Sequence, residues 1–203
     1  MTRHRTDPVA HPRTPLGPRA VARPRPPLGS RAVALLVLAS LLLAATASVP
    51  VSTWTQPRIV RLAYEIERRG VVYSWGGGHA ERPGPSKGTC QGYRGRIKPC
   101  PAARTRGLDC SGFTRWVYAL AHGRDVLGPG NTDDHVRRLH RVDAAPRPGD
   151  LVFFGVITPT RVSTHHVGVY LGGGRMMNAP ETGAEVRVDA VDRLKDFAGF
   201  YRY

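Results

Sequence analysis

The sequence predicts an α+β fold in which N-terminal helices pack on a central antiparallel β-sheet. Three observations predict it. Apolar residues recur at helical spacing over residues 54–69 and again from Asp109 to His122. From residue 151 onward the chain reads as short β-rich runs separated by turns. Gly172-Gly173-Gly174 is a tight connection that joins two of those runs as a hairpin.

The first helix carries Ile59, Leu62, Ala63 and Ile66 on one face, and Gly70 ends it. Val71-Val72-Tyr73-Ser74-Trp75 then runs into Gly76-Gly77-Gly78. Residues 79–107 form a long loop, with Arg82, Lys87, Arg94, Arg96, Lys98, Arg104 and Arg106 against Glu81 alone. A loop of that length inside a compact domain is usually functional or disordered. The second helix presents Phe113, Trp116, Val117 and Leu120 on one face, and Gly123 stops it. A short polar helix follows from Thr132, with Asn131 or Thr132 as its cap. Pro146-Arg147-Pro148-Gly149-Asp150 is a turn. The strands are Leu151–Ile157, His165–Leu171, Arg175–Ala179 and Glu185–Val188, with a last one over Phe197–Tyr203.

Ahead of this domain lies an uncharged run from Ala32 to Val49, which follows Arg31 and contains Ala45-Thr46-Ala47. A basic segment, an apolar segment and small residues at a cleavage site are the parts of an export signal. A buried core helix would show a polar face, and this run has none. Residues 1–31, basic and Pro-rich, read as a disordered n-region, and residues 32–47 as a signal peptide. The rival is an uncleaved membrane anchor over 32–49, close to the roughly 20 residues a span needs. Both readings export residues 48–203, leaving a secreted or wall-associated domain. The whole chain has 30 Lys and Arg against 15 Asp and Glu, a net +15. Seven arginines and one aspartate precede residue 32, so the exported domain keeps +9. That balance favours anionic partners such as a wall polymer, a lipid surface or nucleic acid. An exported domain with no matching motif gives nucleic acid no support.

The three cysteines are Cys90, Cys100 and Cys110. In an oxidising compartment an odd count leaves one thiol over. Cys90 and Cys100 share the basic loop, where a short bridge can close, and Cys110 is then free. Three unpaired cysteines are one alternative. A zinc site is another, but C-x₉-C with His165-His166 lacks the usual ligand spacing.

Cys110 stands where a loop gives way to a helix. Unpaired N–H groups and the helix dipole there favour a thiolate. A nucleophilic thiol needs a histidine as base and a polar group to orient it. His166, in His165-His166-Val167-Gly168-Val169-Tyr170, and Asn178 beyond the hairpin are neighbours on one sheet face if the two strands pair. His165, one residue off, would point to the opposite face. Spacing alone leaves this triad only suggested.

Four runs occur in order: Tyr73-Ser74-Trp75-Gly76-Gly77, Asp109-Cys110-Ser111-Gly112-Phe113, Arg147-Pro148-Gly149-Asp150-Leu151-Val152-Phe153-Phe154, and His166-Val167-Gly168-Val169-Tyr170-Leu171. Together they resemble the NlpC family of cell-wall peptidases, over roughly residues 56–203. The resemblance implies a papain-like fold and hydrolysis of peptidoglycan stem peptides, typically between γ-D-glutamate and a diamino acid. It implies Cys110 as nucleophile, His166 as base, Asn178 in the orienting slot, and Tyr73 as a hydroxyl near the oxyanion. Asn178 departs from the commoner histidine, yet its side-chain oxygen can accept the imidazole N–H. The plainer readings are a core aromatic for Tyr73 and a turn-adjacent polar residue for Asn178.

The expected protein is thus an exported, monomeric cysteine endopeptidase without metal or cofactor, with peptidoglycan as its partner. The 79–107 loop departs from the family's compact form, and its charge suits wall carboxylates or phosphates. Two alternatives stand beside this reading. One is a catalytically silent wall-binding module. The other is an amidase or acyltransferase acting on a substrate outside the wall.

Overall fold

The structure, a computed structural model, describes residues 52–203, so the expected n-region (1–31) and apolar segment (32–47) lie outside the described residues. No helix among the described residues is long and apolar enough to cross a membrane. Helix α1 spans Ser52–Glu67, and the chain turns at Gly70 with φ +60°. Helix α2 spans Cys110–His122. Asp109 caps its start by accepting from the Gly112 N–H, and Gly123 ends it in the left-handed conformation. Helix α3, Thr132–Val136, opens with a capping box between Asn131 and Asp134.

The main sheet holds β3 (His140–Arg141), β4 (Leu151–Ile157), β5 (Val162–Gly172), β6 (Arg175–Asn178), β7 (Arg187–Ala190) and β8 (Phe197–Arg202). Their order is β3-β8-β4-β5-β6-β7, every pair antiparallel. A separate ribbon, β1 (Ser86–Lys87) with β2 (Arg106–Gly107), closes the base of the basic loop. The expected strand over 185–188 lies two residues later. Glu185 bridges Val72 and the Val186 N–H donates to the Val71 carbonyl, so pairing with β6 begins only at Arg187. Strands β1, β2 and β3 are two residues each and carry no alternation that periodicity could detect.

Helices α1 and α2 cover one face of the sheet. Ile59, Ala63, Ile66, Phe113 and Val117 pack there against Leu151, Phe153, Val167, Val169 and Met177. Each fully buried side chain of this kind is worth about 1.5–3 kcal/mol of transfer free energy. Leu120, expected on the buried face of α2, is 37% exposed, and Tyr118 and Ala121 are buried instead. On the opposite face Val152, Phe154 and Met176 are covered by Val191, Leu194 and Phe200.

The Arg147–Asp150 turn is an anchor as well as a turn. Asp150 is fully buried and accepts from Arg202 Nε at 2.6 Å and Nη2 at 2.8 Å, from Gln56 Nε2 at 2.8 Å and from the Arg147 N–H at 2.7 Å. Its carboxylate therefore ties the start of β4 to the end of β8 and to α1.

Candidate active site

The two glycine-flanked motifs meet backbone to backbone. Tyr73 bridges Leu108 in parallel, and the Asp109 N–H donates to the Gly77 carbonyl at 3.0 Å. A side chain on Gly112 would bring its Cβ to 2.2 Å from the Gly77 oxygen, so this approach requires glycine. The contact sets Tyr73 and Trp75 beside the N-terminus of α2.

Asp109 does more than cap. Its carboxylate accepts from the Gly112 N–H at 2.7 Å, from Ser111 Oγ at 2.9 Å and from His79 Nε2 at 2.9 Å. The other ring nitrogen of His79 donates to the Pro129 carbonyl at 3.1 Å. Both nitrogens face acceptors, a setting that favours the imidazolium. Burial opposes that charge, but the hydrogen bond to Asp109 and its negative charge hold the His79 pKa above the ordinary value. Sequence reading missed this pair.

Cys110 is buried, 8% exposed, and is a free thiol. Burial, and next the Asp109 carboxylate, push its pKa up to about 12. The expectation that the helix start lowers it is thus corrected. A helix terminus is worth ~0.3–1 kcal/mol, about 2 at most. One pKa unit is about 1.4 kcal/mol, so desolvation wins in the empty cleft.

The sheet supplies the opposite side. His166 Nε2 donates to Asn178 Oδ1 at 2.8 Å, twelve residues away in sequence. The amide is oriented by its other end, because Nδ2 donates to Asp189 Oδ2 at 3.1 Å and to the Arg187 carbonyl at 3.3 Å. Asp189 is held in turn by Arg187 Nε at 3.1 Å. With Nε2 protonated, neutral His166 keeps Nδ1 as its basic nitrogen. Burial lowers the His166 pKa, against the bond to Asn178, which raises it.

His165 was expected on the far face, yet it lines the cleft beside His166. The pairing of β4 with β5 steps from Phe154↔His166 to Gly155↔Thr164, which leaves His165 as the extra residue of a bulge. Gly155 makes room at φ +122°, where a Cβ would meet the Ser163 oxygen at 2.5 Å. His165 is exposed and bonds Asp196.

One cavity of about 220 Å³ is lined by Tyr73, Trp75, Cys110, His166 and Asn178. The four residues singled out as site residues from the sequence therefore share one cleft. Tyr73 is buried, and burial followed by the nearby Cys110 raises its pKa, so its hydroxyl stays a donor.

The basic loop walls the adjoining side, where His79, Thr89 and Gln91 line a pocket that shares Tyr73, Trp75 and Cys110. Cys90 and Cys100 form a disulfide, so neither is available as a zinc ligand. Trp75 Nε1 donates to the Gln91 carbonyl at 2.7 Å, and its ring meets Tyr93 edge-on at 5.6 Å. Arg115, 1% exposed, donates to the Gly78, Ala80 and Glu81 carbonyls and to Asp125. It was missed too, although a lone arginine inside the apolar helix CSGFTRWVYALAH was a signal. Among the described residues no cluster of three or more His, Cys, Asp or Glu is arranged to hold a metal ion.

The NlpC/P60 family model matches residues 70–195. The chain belongs to the NlpC/P60 family. It is 37% identical over 123 residues to the peptidoglycan endopeptidase RipA of Mycobacterium tuberculosis, covering 60% of this chain and 22% of that protein. RipB of the same organism, another peptidoglycan endopeptidase, is also 37% identical over 123 residues, covering 60% and 43%. The chain thus spans less than half the length of these curated relatives. The solved structure of the M. tuberculosis peptidoglycan hydrolase RipB superposes with TM-score 0.57 at 28% identity, covering 87% of this chain and 86% of that one. A RipA structure gives TM-score 0.56 at 31% identity, covering 74% and 63%. The α+β arrangement is accordingly the papain-like fold of this family. Solved RipA forms include ones altered at a cysteine, at a histidine, and at a glutamate twelve residues beyond that histidine. In this chain Asn178 stands twelve residues beyond His166.

Proposed function

We propose that residues 48–203 form a cysteine endopeptidase that hydrolyses peptidoglycan stem peptides, at the γ-D-glutamyl–diamino acid bond. The observation that carries this is the buried His166–Asn178 pair, 2.8 Å apart, opening onto the same cavity as Cys110 and Tyr73. The endopeptidase activity named for the relatives supports the substrate class.

The chemistry follows from the protonation states. In the empty cleft Cys110 is a thiol and His166 a neutral base. As the thiol sulfur attacks the scissile carbonyl, its proton passes to His166 Nδ1. The oxyanion is held by the Cys110 N–H and the Tyr73 hydroxyl. His166 then protonates the leaving amine, a thioester remains, and water activated by His166 releases the acid. Asn178 keeps the imidazole in the tautomer this requires.

Export is part of the proposal. The apolar run 32–49 supports it as signal or anchor, and so does the Cys90–Cys100 disulfide, which suits an oxidising compartment. A wall-associated, monomeric protein is the corresponding reading. A second reading has one specific support. RipD of M. tuberculosis, a non-catalytic NlpC/p60 domain protein adapted to peptidoglycan binding, superposes with TM-score 0.50 at 28% identity, covering 71% of this chain and 96% of that one. The complete set of thiol, base and orienting amide favours catalysis here.

The test is digestion of purified peptidoglycan with the chain and with Cys110→Ala, products identified by mass spectrometry. New γ-D-glutamyl termini are expected from the wild type alone. Equal products from both would end the catalytic reading, and retention on the wall without any cleavage would favour RipD-like binding.

A further inference from the structure

A second groove, of about 780 Å³, runs on from the catalytic cavity along the basic loop. It shares Tyr73, Trp75, Pro180 and Glu181 with the cavity around Cys110. Arg94 and Arg96 form one wall, and Pro180, Glu181 and Thr182 the other. The loop is fixed at both ends of this wall. Cys90–Cys100 closes its base, and Ile97 reaches across to within 3.8 Å of the Cβ position at Gly183. Tyr93 is packed edge-on against Trp75 and carries Lys98 over its ring at 4.8 Å.

The charges on the two walls differ in one respect. Glu181 has a cation within reach, Arg193 at 3.9 Å, which lines the cavity around Cys110. Arg94 and Arg96 make no ion pair or hydrogen bond among the described residues, and both are exposed. The Tyr93 hydroxyl, shielded from solvent on the same groove, has no hydrogen-bond partner either. Two guanidinium groups without an acid partner sit on a disulfide-clamped wall of a groove that adjoins the cavity around Cys110.

We infer that Arg94 and Arg96 form a carboxylate-binding subsite for the peptide that Cys110 cleaves. The inference rests on the peptidase reading above and assigns the loop a role in that reaction. The shared lining points to the class of occupant, because a peptide held at Cys110 can extend past Tyr73 and Trp75 into this groove. A planar guanidinium takes a carboxylate with two parallel hydrogen bonds, a geometry that suits a peptide acid group. The opposed Glu181 wall sets the direction. A segment bearing both a carboxylate and an amino group lies with its carboxylate toward the loop.

The test uses the full chain and two synthetic stem peptides, one with free carboxylates and one with the same groups as carboxamides. Binding is measured by calorimetry on the Cys110→Ala chain, and turnover on the chain with Cys110 intact. Arg94→Gln with Arg96→Gln is expected to raise Kd and KM for the acid peptide about five- to tenfold, the size of exposed charge-assisted contacts. The same change leaves kcat within about twofold and does not affect the carboxamide peptide. Arg94→Lys with Arg96→Lys recovers part of the loss. Equal binding of both peptides by the parent chain, or equal losses on both, would overturn the subsite even if the parent cleaves them. Charge-dependent binding without any cleavage would keep the subsite and overturn the peptidase reading. A loss confined to retention on a wall phosphate polymer, with peptide binding intact, would also overturn the subsite.

Discussion

The two walls of the cleft are built by different means. The sheet wall places His166 and Asn178 through ladder pairing, since Val169↔Met177 and Tyr170↔Met176 put both side chains on one face. The loop wall has no ladder beyond the two-residue ribbon Ser86–Lys87 with Arg106–Gly107. It hangs instead on a disulfide, on the Trp75–Gln91 hydrogen bond and on the Arg115 guanidinium. Under the proposed function the difference separates two jobs. A ladder fixes a side chain within a fraction of an ångström, which proton transfer needs. A clamped loop fixes shape and charge but leaves sequence free, which suits choosing what enters.

The sharpest way to break that division is at Asn178. Replacing it with alanine removes the Oδ1 acceptor from His166 and the Nδ2 donor from Asp189 and the Arg187 carbonyl. Each lost partner of a buried polar group costs about 1–3 kcal/mol. For Asn178→Ala we expect kcat to fall about 100-fold, with KM within about threefold and a lower melting temperature. Stopped-flow turnover and thermal denaturation read these directly. An unchanged kcat would mean that the sheet wall does not orient the base. Asn178→Asp is a finer probe. It sets a carboxylate against Asp189, where the amide now donates at 3.1 Å, so like charges meet. The neighbour Asp189 thereby gives a physical reason for an uncharged residue in this slot.

The next test falls on the loop. Cys90→Ser with Cys100→Ser opens a short loop, whose closure is worth about 2–3 kcal/mol in the chain-entropy account. If the loop wall selects substrate and leaves chemistry alone, KM for the stem peptide rises several-fold while kcat stays within about twofold. A fall in kcat as large as that of Asn178→Ala would show the two walls to be one unit.

The same division explains what could be read from the sequence. Helices α1 and α2 and strands β4 and β6 follow from periodicity, whereas the sharing of a cleft by Tyr73, Cys110, His166 and Asn178 was implied by the family resemblance of the four motifs and only suggested by spacing. Regular elements repeat their hydrogen bonds locally, so their signal is local. His79, Arg115 and Asp189 were not legible. Each acts through side-chain contacts to distant segments, such as Arg115 to the Ala80 carbonyl thirty-five residues earlier. His165 shows the limit of a period-two rule. Alternation sends it to the far face, and a single bulge opposite Gly155 brings it back to the cleft. The Cys110 pKa was misread because a helix start is visible in sequence and burial is not.

The smallest expected effect is in the pH profile, and it bears on how the walls cooperate. Burial, partly offset by Asn178, keeps the His166 pKa below its ordinary 6.5. Burial and Asp109 push the Cys110 thiol up to about 12. The competent form in the proposed route is therefore neutral thiol with neutral imidazole. That form gains population as pH rises through the His166 pKa and keeps it until the thiol ionises. We expect kcat/KM to rise along a single acid limb centred below pH 6.5 and then to change less than about twofold between pH 7 and 9. A thiolate–imidazolium pair formed in advance would behave otherwise, because activity would fall again as the imidazolium lost its proton. An alkaline limb centred near pH 8 would thus mean that Cys110 is ionised before substrate arrives. The helix start would then outweigh burial once the cleft is filled, and the sheet wall would hold a cation instead of a base.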